Sequence, residues 1–235
     1  IRLSPYRVEV VQEDLLLSAD LDSARILVLA DVSTMNPAES ARIDQFIREG
    51  GGVLVFTGSR MDHPTWGTNA WNNGDGWFLW EPGTSISDPR RQVFYHWLIK
   101  DPEHPMMEYL ANFPEAGLGD VIVHGFQKPL RLKEDTEVLL ELDDFDQTPV
   151  LVQGYRGNGS IVVLGTGADR EWSNFPVTPA YVCFLHECLP WLTMQDGSWR
   201  YLALGQPLVK EVSSADYAPR VCTRSSATEK AFLIL

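Results

Sequence analysis

The stretch Gly50-Gly51-Gly52-Val53-Leu54-Val55-Phe56-Thr57-Gly58-Ser59 decides the fold class of this 235-residue chain. Its glycines follow an amphipathic segment and are typical of a helix end, and the apolar residues after them are typical of a strand buried on both faces. The small residues Thr57, Gly58 and Ser59 then predict a tight turn. Because open α/β sheets bind their ligands at the carboxyl ends of their strands, this turn decides much of the functional question.

The segments before this stretch predict a parallel arrangement. Residues 6–11 and 24–31 are expected to be strands, and the second is a short apolar run that ends in Asp31. A helix follows, with Asn36 as its N-cap and Glu39 in the capping-box position. Strand, crossover, strand, helix and strand in this order predict a doubly wound, mainly parallel sheet.

Residues 60–90 form a separate feature, rich in Gly, Pro, Asn and Asp, without a sustained period. A stretch of this kind is typical of a lid or of an insertion that packs on the domain. Its tryptophans would stack on sugar rings or contact a partner if exposed, and would cover the end of the sheet if buried. These are Trp66, Trp71, Trp77 and Trp80.

The second half of the chain predicts antiparallel strands added to the parallel core. The turn residues at 156–159 predict a tight hairpin, and the prolines at 101–105 predict a rigid turn. Helices are predicted at 178–192 and at 91–100, the latter with its apolar side chains Val93, Phe94, Trp97 and Leu98 facing inward. Strands are predicted at 121–126, 137–142, 149–155 and 160–164. We therefore place one α/β domain at 1–200 and a tail at 201–235 that begins a following β domain. Both ends are expected to continue into a longer polypeptide.

Composition excludes several classes of partner. Acidic residues outnumber basic ones by 32 to 19, and a net charge of −13 argues against nucleic acid and anionic membranes as partners. No run reaches the ~18 apolar residues that span a bilayer, so we expect no direct membrane insertion of this segment. Gly165-Thr166-Gly167 lacks the third glycine of a dinucleotide fingerprint, and the three cysteines show no metal-type pairing with histidine. We expect no cofactor and no metal.

The turn after the central strand and the segment that begins at Asp169 both follow predicted strands, so their polar side chains are candidates for a common pocket. The candidate residues are Thr57, Gly58, Ser59, Arg60, His104, Asp169, Glu171, Trp172 and Ser173.

Several runs carry a resemblance to a known family: residues 30–32, 36–56, 101–105 and 157–163, and most specifically 168–176 with 185–187. Over residues 6–194 the chain resembles the class I glutamine amidotransferase-like domains of large bacterial membrane proteins, notably of planctomycetes, that carry a BatA-type region and often a von Willebrand factor A domain. The resemblance implies a flavodoxin-like fold in a soluble domain of a membrane-anchored bacterial protein. It also implies partners among the other domains of the same polypeptide or among envelope proteins.

The residues at the position of the catalytic site differ from those of the family's enzymes. Enzymes of that family place a cysteine on a strained turn between strand and helix, whereas this turn reads Phe56-Thr57-Gly58-Ser59-Arg60. His186-Glu187 is similar to the family's His-x-Glu ending but lies inside a predicted helix. We therefore expect a non-catalytic interaction or ligand-binding module.

Two alternatives stay open. The first is a hydrolase, in which Ser59 or Thr57 is the nucleophile and Asp169 or Glu171 orients a histidine base. The candidate bases are His63, His104 and His186. The second is a carbohydrate-binding domain that uses the tryptophans of residues 60–90 with the carboxylates of Asp169 and Glu171.

Overall fold

The structure, a computed structural model, describes residues 6–193 and 229–234. The described residues form a mixed α/β fold. Its helices are α1 (Pro37–Arg48), α2 (His63–Trp66), α3 (Pro105–Asn112) and α4 (Pro179–Leu192). Its strands are β1 (Tyr6–Val11), β2 (Ile26–Ala30), β3 (Gly52–Phe56), β4 (Trp80–Ser87), β5 (Trp97–Ile99), β6 (Gly125–Leu132), β7 (Glu137–Leu142), β8 (Pro149–Arg156), β9 (Gly159–Leu164) and β10 (Glu229–Ile234).

The central sheet has the strand order β1-β10-β2-β3-β9-β8-β7-β5. Neighbours from β1 to β9 are parallel, and neighbours from β9 to β5 are antiparallel. The predicted α/β class, with a parallel core and added antiparallel strands, is therefore confirmed. Strands β4 and β6 form a separate antiparallel pair.

Successive side chains of β3 pack against two different layers, one on each face of the sheet. Val53 and Val55 belong to the apolar cluster that contains residues of α1, whereas Leu54 and Phe56 belong to the cluster that contains residues of α3 and α4. Successive side chains of a strand point to opposite faces, so a continuous apolar run buries itself against two layers. Helix α1 begins as predicted: Asn36 Oδ1 accepts the Glu39 backbone N–H at 2.9 Å, and the Glu39 carboxylate accepts that of Asn36 at 2.9 Å.

The tryptophans of residues 60–90 are buried, so they do not form the exposed surface for a sugar or partner that the sequence left open. Trp66, Trp71, Trp77 and Trp80 expose 1%, 5%, 1% and 0% of their surface. Trp66 donates its indole N–H to the Val32 carbonyl at 3.2 Å, and Trp77 donates to Ser40 Oγ at 3.0 Å. The insertion is part of the core on the α1 face because large aromatic rings gain most when they leave water entirely.

The helix predicted at 91–100 is wrong. Val93, Phe94 and Leu98 expose 53%, 51% and 42% of their surface, and the segment ends in the edge strand β5. The Asp88 carboxylate accepts the backbone N–H groups of Gln92 and Val93 at 2.6 and 2.7 Å, which stabilises a turn in place of a helical start. Pairing with β7 then supplies β5 with hydrogen bonds that a short isolated helix could not match.

Two other boundaries differ from the prediction. The turn at 101–105 leads directly into α3, which was not predicted, with His104 Nδ1 accepting the Met106 N–H at 3.2 Å. The strand expected at 121–126 begins at Gly125, and Val123 forms only single bridges to Tyr95 and Ser173.

Part of the predicted tail at 201–235 belongs to the central sheet. Strand β10 lies between β1 and β2 and is parallel to both. Its apolar run Ala231-Phe232-Leu233-Ile234 is typical of a central parallel strand. Residues 194–228 lie outside the described part of the chain.

Candidate functional site

Three parallel strands end side by side at one edge of the sheet. The Asp31 N–H donates to the Phe56 carbonyl at 2.9 Å, and the Thr57 N–H donates to the Leu164 carbonyl at 3.0 Å. These bonds align the residues that follow β2, β3 and β9, as expected for the switch region of an open α/β sheet. We call this cluster of Asp31, Ser59, Arg60, Asp169 and Glu171 the carboxyl edge.

Asp31 and Arg60 form the first pair at the carboxyl edge. The Asp31 carboxylate accepts the Arg60 backbone N–H at 3.1 Å and its Nε–H at 3.2 Å, and the Asp31 carbonyl accepts an Nη–H at 2.7 Å. A Cβ at Gly58 would lie 2.2 Å from Asp31 Cγ, so only glycine permits this approach. Burial raises the pKa of Asp31 and the Asp169 charge adds to this, although the bonds from Arg60 oppose it.

Ser59 and Glu171 form the second pair. Ser59 Oγ donates to Glu171 Oε2 at 2.8 Å, and Asp169 Oδ1 accepts the Glu171 backbone N–H at 2.9 Å. Arg60 also lies 3.9 Å from Glu13, whose carboxylate accepts both the backbone N–H and the hydroxyl of Ser33 at 2.9 Å. The structure thus brings Ser59, Arg60, Asp169 and Glu171 together as the sequence predicted, and it adds Asp31 and Glu13.

The backbone of this turn differs from that of a nucleophile elbow. Thr57, Gly58 and Ser59 are absent from the residues with positive φ, whereas Asp31 has φ +49°. Thr57 is buried and donates its hydroxyl to the Leu164 carbonyl at 3.2 Å. The strained residue at the carboxyl edge is therefore an aspartate at the end of β2.

None of the five histidines hydrogen-bonds Thr57 or Ser59; all five lie within the described residues. His104 caps α3 with its Nε2 3.9 Å from Glu137, at the beginning of β7 and away from the carboxyl edge. Burial lowers the pKa of His104, and the charges of Glu137 and Asp101 oppose this. The structure therefore does not place His104 in the predicted pocket.

His63 has a different serine as its neighbour. Its Nε2 lies 2.9 Å from Ser85 Oγ and 3.0 Å from Gln127 Nε2. Gln127 Oε1 accepts the Trp80 indole N–H at 3.4 Å, which turns the amide N–H₂ toward the imidazole and leaves Nε2 as an acceptor. Burial lowers the pKa of His63, although the Asp62 charge opposes it.

Trp172 and Ser173 are structural residues that fix the segment after β9. Both are buried, and the Trp172 carbonyl accepts the backbone N–H groups of His124 and Gly125 at 2.7 and 3.0 Å. A Cβ at Gly125 would lie 2.5 Å from the Trp172 ring. These contacts hold Glu171 at the surface.

Glu171 also lines a shallow cavity of about 250 Å³ together with Asp88, Arg91 and His124. The sequence analysis did not predict these last three residues, because nothing in their local pattern links them to the carboxyl edge.

The described cysteines lie on a helix and not at the carboxyl edge. Cys183 and Cys188 are free thiols on α4, and burial raises the pKa of Cys188 well above its usual range. Cys222 lies outside the described residues. Within the part of the chain that the structure describes, no group of three or more His, Cys, Asp or Glu side chains is arranged to hold a metal ion.

No protein-family profile matches this chain, and no match was found among curated proteins. Among solved structures, Cytoplasmic Protein STM3548 from Salmonella typhimurium is 14% identical with a TM-score of 0.61, over 79% of this chain and 81% of that one. Cytoplasmic Protein STM1381 from Salmonella typhimurium LT2 is 14% identical, with a TM-score of 0.47 over 78% of this chain and 74% of that one. The β-galactosidase from Bacillus circulans sp. alkalophilus is 12% identical, with a TM-score of 0.47 over 75% of this chain but only 23% of the galactosidase. At such identities the likeness to STM3548 shows a shared fold alone, which is the mixed α/β fold described above.

Proposed function

We propose that this chain is a non-catalytic interaction or ligand-binding module with a doubly wound, flavodoxin-like fold of the class I glutamine amidotransferase-like type. The observation that carries the proposal is the pairing at the carboxyl edge. Ser59, the exposed hydroxyl nearest to the position of the family's nucleophile, donates to the Glu171 carboxylate at 2.8 Å. Thr57, the other hydroxyl there, donates to a backbone carbonyl.

These partners leave both hydroxyls without activation. A serine or threonine nucleophile depends on an adjacent base that takes its proton, usually an imidazole held within hydrogen-bonding distance. Among the described residues, no imidazole lies within hydrogen-bonding distance of either hydroxyl. The Ser59–Glu171 pair therefore suits recognition and loop positioning better than nucleophilic attack.

The exposed side of the carboxyl edge is the surface that we assign to binding. Ser59, Arg60, Asp169 and Glu171 are exposed, so they are available to a partner. Following the resemblance, we propose that the partner is another domain of the same polypeptide or an envelope protein. The chain would then be a soluble domain of a membrane-anchored bacterial protein. Among the described residues, no helix combines the length and the apolar character needed to cross a bilayer.

Carbohydrate binding has less support. Its expected surface was the set of tryptophans in residues 60–90, all four of which are buried. Sugar-binding sites present aromatic faces to solvent, whereas Trp66, Trp77 and Trp80 are packed edge to face against one another or against Phe78. The ring of Trp71 is in contact with Arg131 and Lys133 instead.

Two assays test the absence of catalysis. A fluorophosphonate probe, which reacts with activated serines, should label neither the wild-type chain nor its Ser59→Ala variant. Glutamine hydrolysis, followed as ammonia release, should not exceed that of Ser59→Ala. Labelling of Ser59, or of Ser85 beside His63, would overturn the proposal, as would ammonia release that the Ser59→Ala substitution abolishes.

Photo-crosslinking tests the proposed surface. A photoreactive residue replaces Glu171 at the carboxyl edge or, as a control, Leu130, which exposes 64% of its surface on β6. In the full polypeptide within its own cell, crosslinks to another domain or to an envelope protein should form from position 171 and not from 130. Equal yields from both positions would contradict the assignment.

A further inference from the structure

A groove of about 560 Å³ lies away from the carboxyl edge, beside the end of β8 and the loop before β7. Trp71 forms part of its wall, with the Arg131 guanidinium carbon 6.0 Å and Lys133 Nζ 5.9 Å from the ring centroid. A volume of this size is typical of small-molecule sites. We call it the Lys133 groove.

Two cations of this groove share one acceptor. Lys133 Nζ and Arg156 Nη1 both donate to the Gly76 carbonyl, the latter at 2.8 Å, and Arg156 Nη2 donates to the Asp75 carbonyl at 2.8 Å. No carboxylate in the described residues forms an ion pair with Lys133. The Arg156 guanidinium is also paired with Asp44, whereas the Lys133 ammonium has a neutral backbone oxygen as its partner, which leaves the charge of Lys133 incompletely compensated.

The nearby carboxylate is already engaged by two arginines. Asp44 accepts hydrogen bonds from Arg156 and, at 2.8 Å, from Arg48. Although burial opposes it, these bonds lower the pKa of Asp44. Burial, followed by the charge of Arg156, lowers the pKa of Lys133 to about 8, although the charges of Asp44 and Asp75 oppose this. Asp44 is thus engaged by two guanidinium groups, and among the described residues it forms no ion pair with the Lys133 ammonium.

The rim of the groove has the opposite sign. Asp75, Glu134 and Asp135 line the groove and are exposed, whereas Lys133 and Arg156 are half-buried. Carboxylates around the opening repel a polyanion, while a small ligand with one anionic group reaches the two cations between them. The arrangement therefore favours a compact ligand with a single anionic group.

We propose that the Lys133 groove binds a small organic anion whose carboxylate or phosphate group lies between the Lys133 ammonium and the Arg156 guanidinium. This binding site is separate from the carboxyl edge and does not depend on the function proposed for that edge. A bound anion supplies the negative charge that the protein itself does not place beside Lys133, and it accepts hydrogen bonds from both cations.

The side-chain NMR signal of Lys133 tests the proposal in the wild-type chain. Acetate and inorganic phosphate are titrated separately, so that the two arms distinguish a carboxylate ligand from a phosphate ligand. Because an adjacent negative charge favours the ammonium form, saturation with the bound anion should raise the pKa of Lys133. An unchanged pKa with both anions would overturn the proposal.

A matched pair of variants completes the test. Lys133→Met should weaken the affinity for the bound anion by about tenfold or more, since it removes a charged hydrogen-bond partner. The control Lys128→Met removes a lysine in the middle of β6 that pairs with Asp146 and does not line the groove, so it should leave the affinity unchanged. Equal affinity of the two variants would contradict the site, and the wild-type pKa measurement decides the question should Lys133→Met not fold.

Discussion

The carboxyl edge and the Lys133 groove differ in how the protein balances its own charges. At the carboxyl edge, Arg60 is bonded to Asp31 and lies near Glu13, and Glu171 accepts from Ser59. In the groove, Lys133 and Arg156 converge on a backbone carbonyl, and no carboxylate pairs with Lys133 in the described part of the chain. The cation Arg60 at the edge is paired with a carboxylate of the protein, whereas Lys133 in the groove has no such partner among the described residues, and the carboxylate or phosphate of a ligand can take that place.

The largest expected effect is on the free energy of unfolding, which should depend far more on the groove wall than on the carboxyl edge. Trp71→Ala should lower the free energy of unfolding by about 3–5 kcal/mol, because it removes a ring that is 5% exposed and forms the groove wall. The control Glu171→Gln, at the exposed carboxyl edge, should change it by about 0.5 kcal/mol or less. Urea unfolding measures both, and a loss below about 1 kcal/mol for Trp71→Ala would show that the wall is not part of the core.

The second prediction compares two lysines. With its pKa lowered to about 8, Lys133 should react with acetic anhydride at pH 8 about tenfold faster than Lys128, whose pKa is raised by its hydrogen bond to Asp146. Mass spectrometry of the labelled peptides gives both rates. The Lys133 rate should level off above pH 8 while that of Lys128 continues to rise. A shared midpoint would contradict the lowered pKa and with it the uncompensated charge of the groove.

The third prediction concerns the pH dependence of the carboxyl edge. Because burial raises the pKa of Asp31, the folded state favours its protonated form, and the resulting stability is lost as pH rises through the folded pKa. Asp31→Asn, which stays neutral, should therefore gain stability relative to the wild type between pH 3 and pH 7. Unfolding curves at the two pH values provide the test. A relative loss would mean that the pair with Arg60 outweighs burial.

The smallest effect separates the two hydroxyls of the turn. Ser59→Ala should change the free energy of unfolding by less than about 0.5 kcal/mol, since its bond to Glu171 is exposed. Thr57→Ala should cost about 0.5–1.5 kcal/mol, since it removes a buried hydroxyl bonded to the Leu164 carbonyl. Thermal denaturation of the two variants side by side makes this comparison. The reverse ranking would imply that the Ser59–Glu171 pair holds the edge together.

Local signals in the sequence predicted the parallel core well. The capping box of α1, the apolar runs of β2 and β3, and the hairpin before β9 all occur where the pattern placed them. Each of these elements is determined by residues that are neighbours in the chain, so a short stretch of sequence is enough to predict it. The convergence of Ser59 with Glu171 was also predictable, because parallel strands end at one edge.

The remaining features depend on contacts between distant segments. No local pattern indicates that β10 lies between β1 and β2, or that residues 97–99 pair with β7. The Lys133 groove joins Trp71, Lys133 and Arg156, which are separated by more than eighty positions from first to last. In the sequence, the first is an aromatic residue of the insertion, the second a lysine in a loop and the third an arginine next to a hairpin turn. No one of these local patterns predicts a binding site.

The most direct test of the central contrast is an amide NMR titration of the labelled chain with acetate and, separately, with inorganic phosphate. We expect chemical-shift changes at residues 71–76, 131–136 and 154–156, which surround the groove, and none at 31, 57–60 and 169–171. Changes centred on the carboxyl edge, or no changes at either place with either anion, would contradict the claim that the Lys133 groove is an anion-binding site.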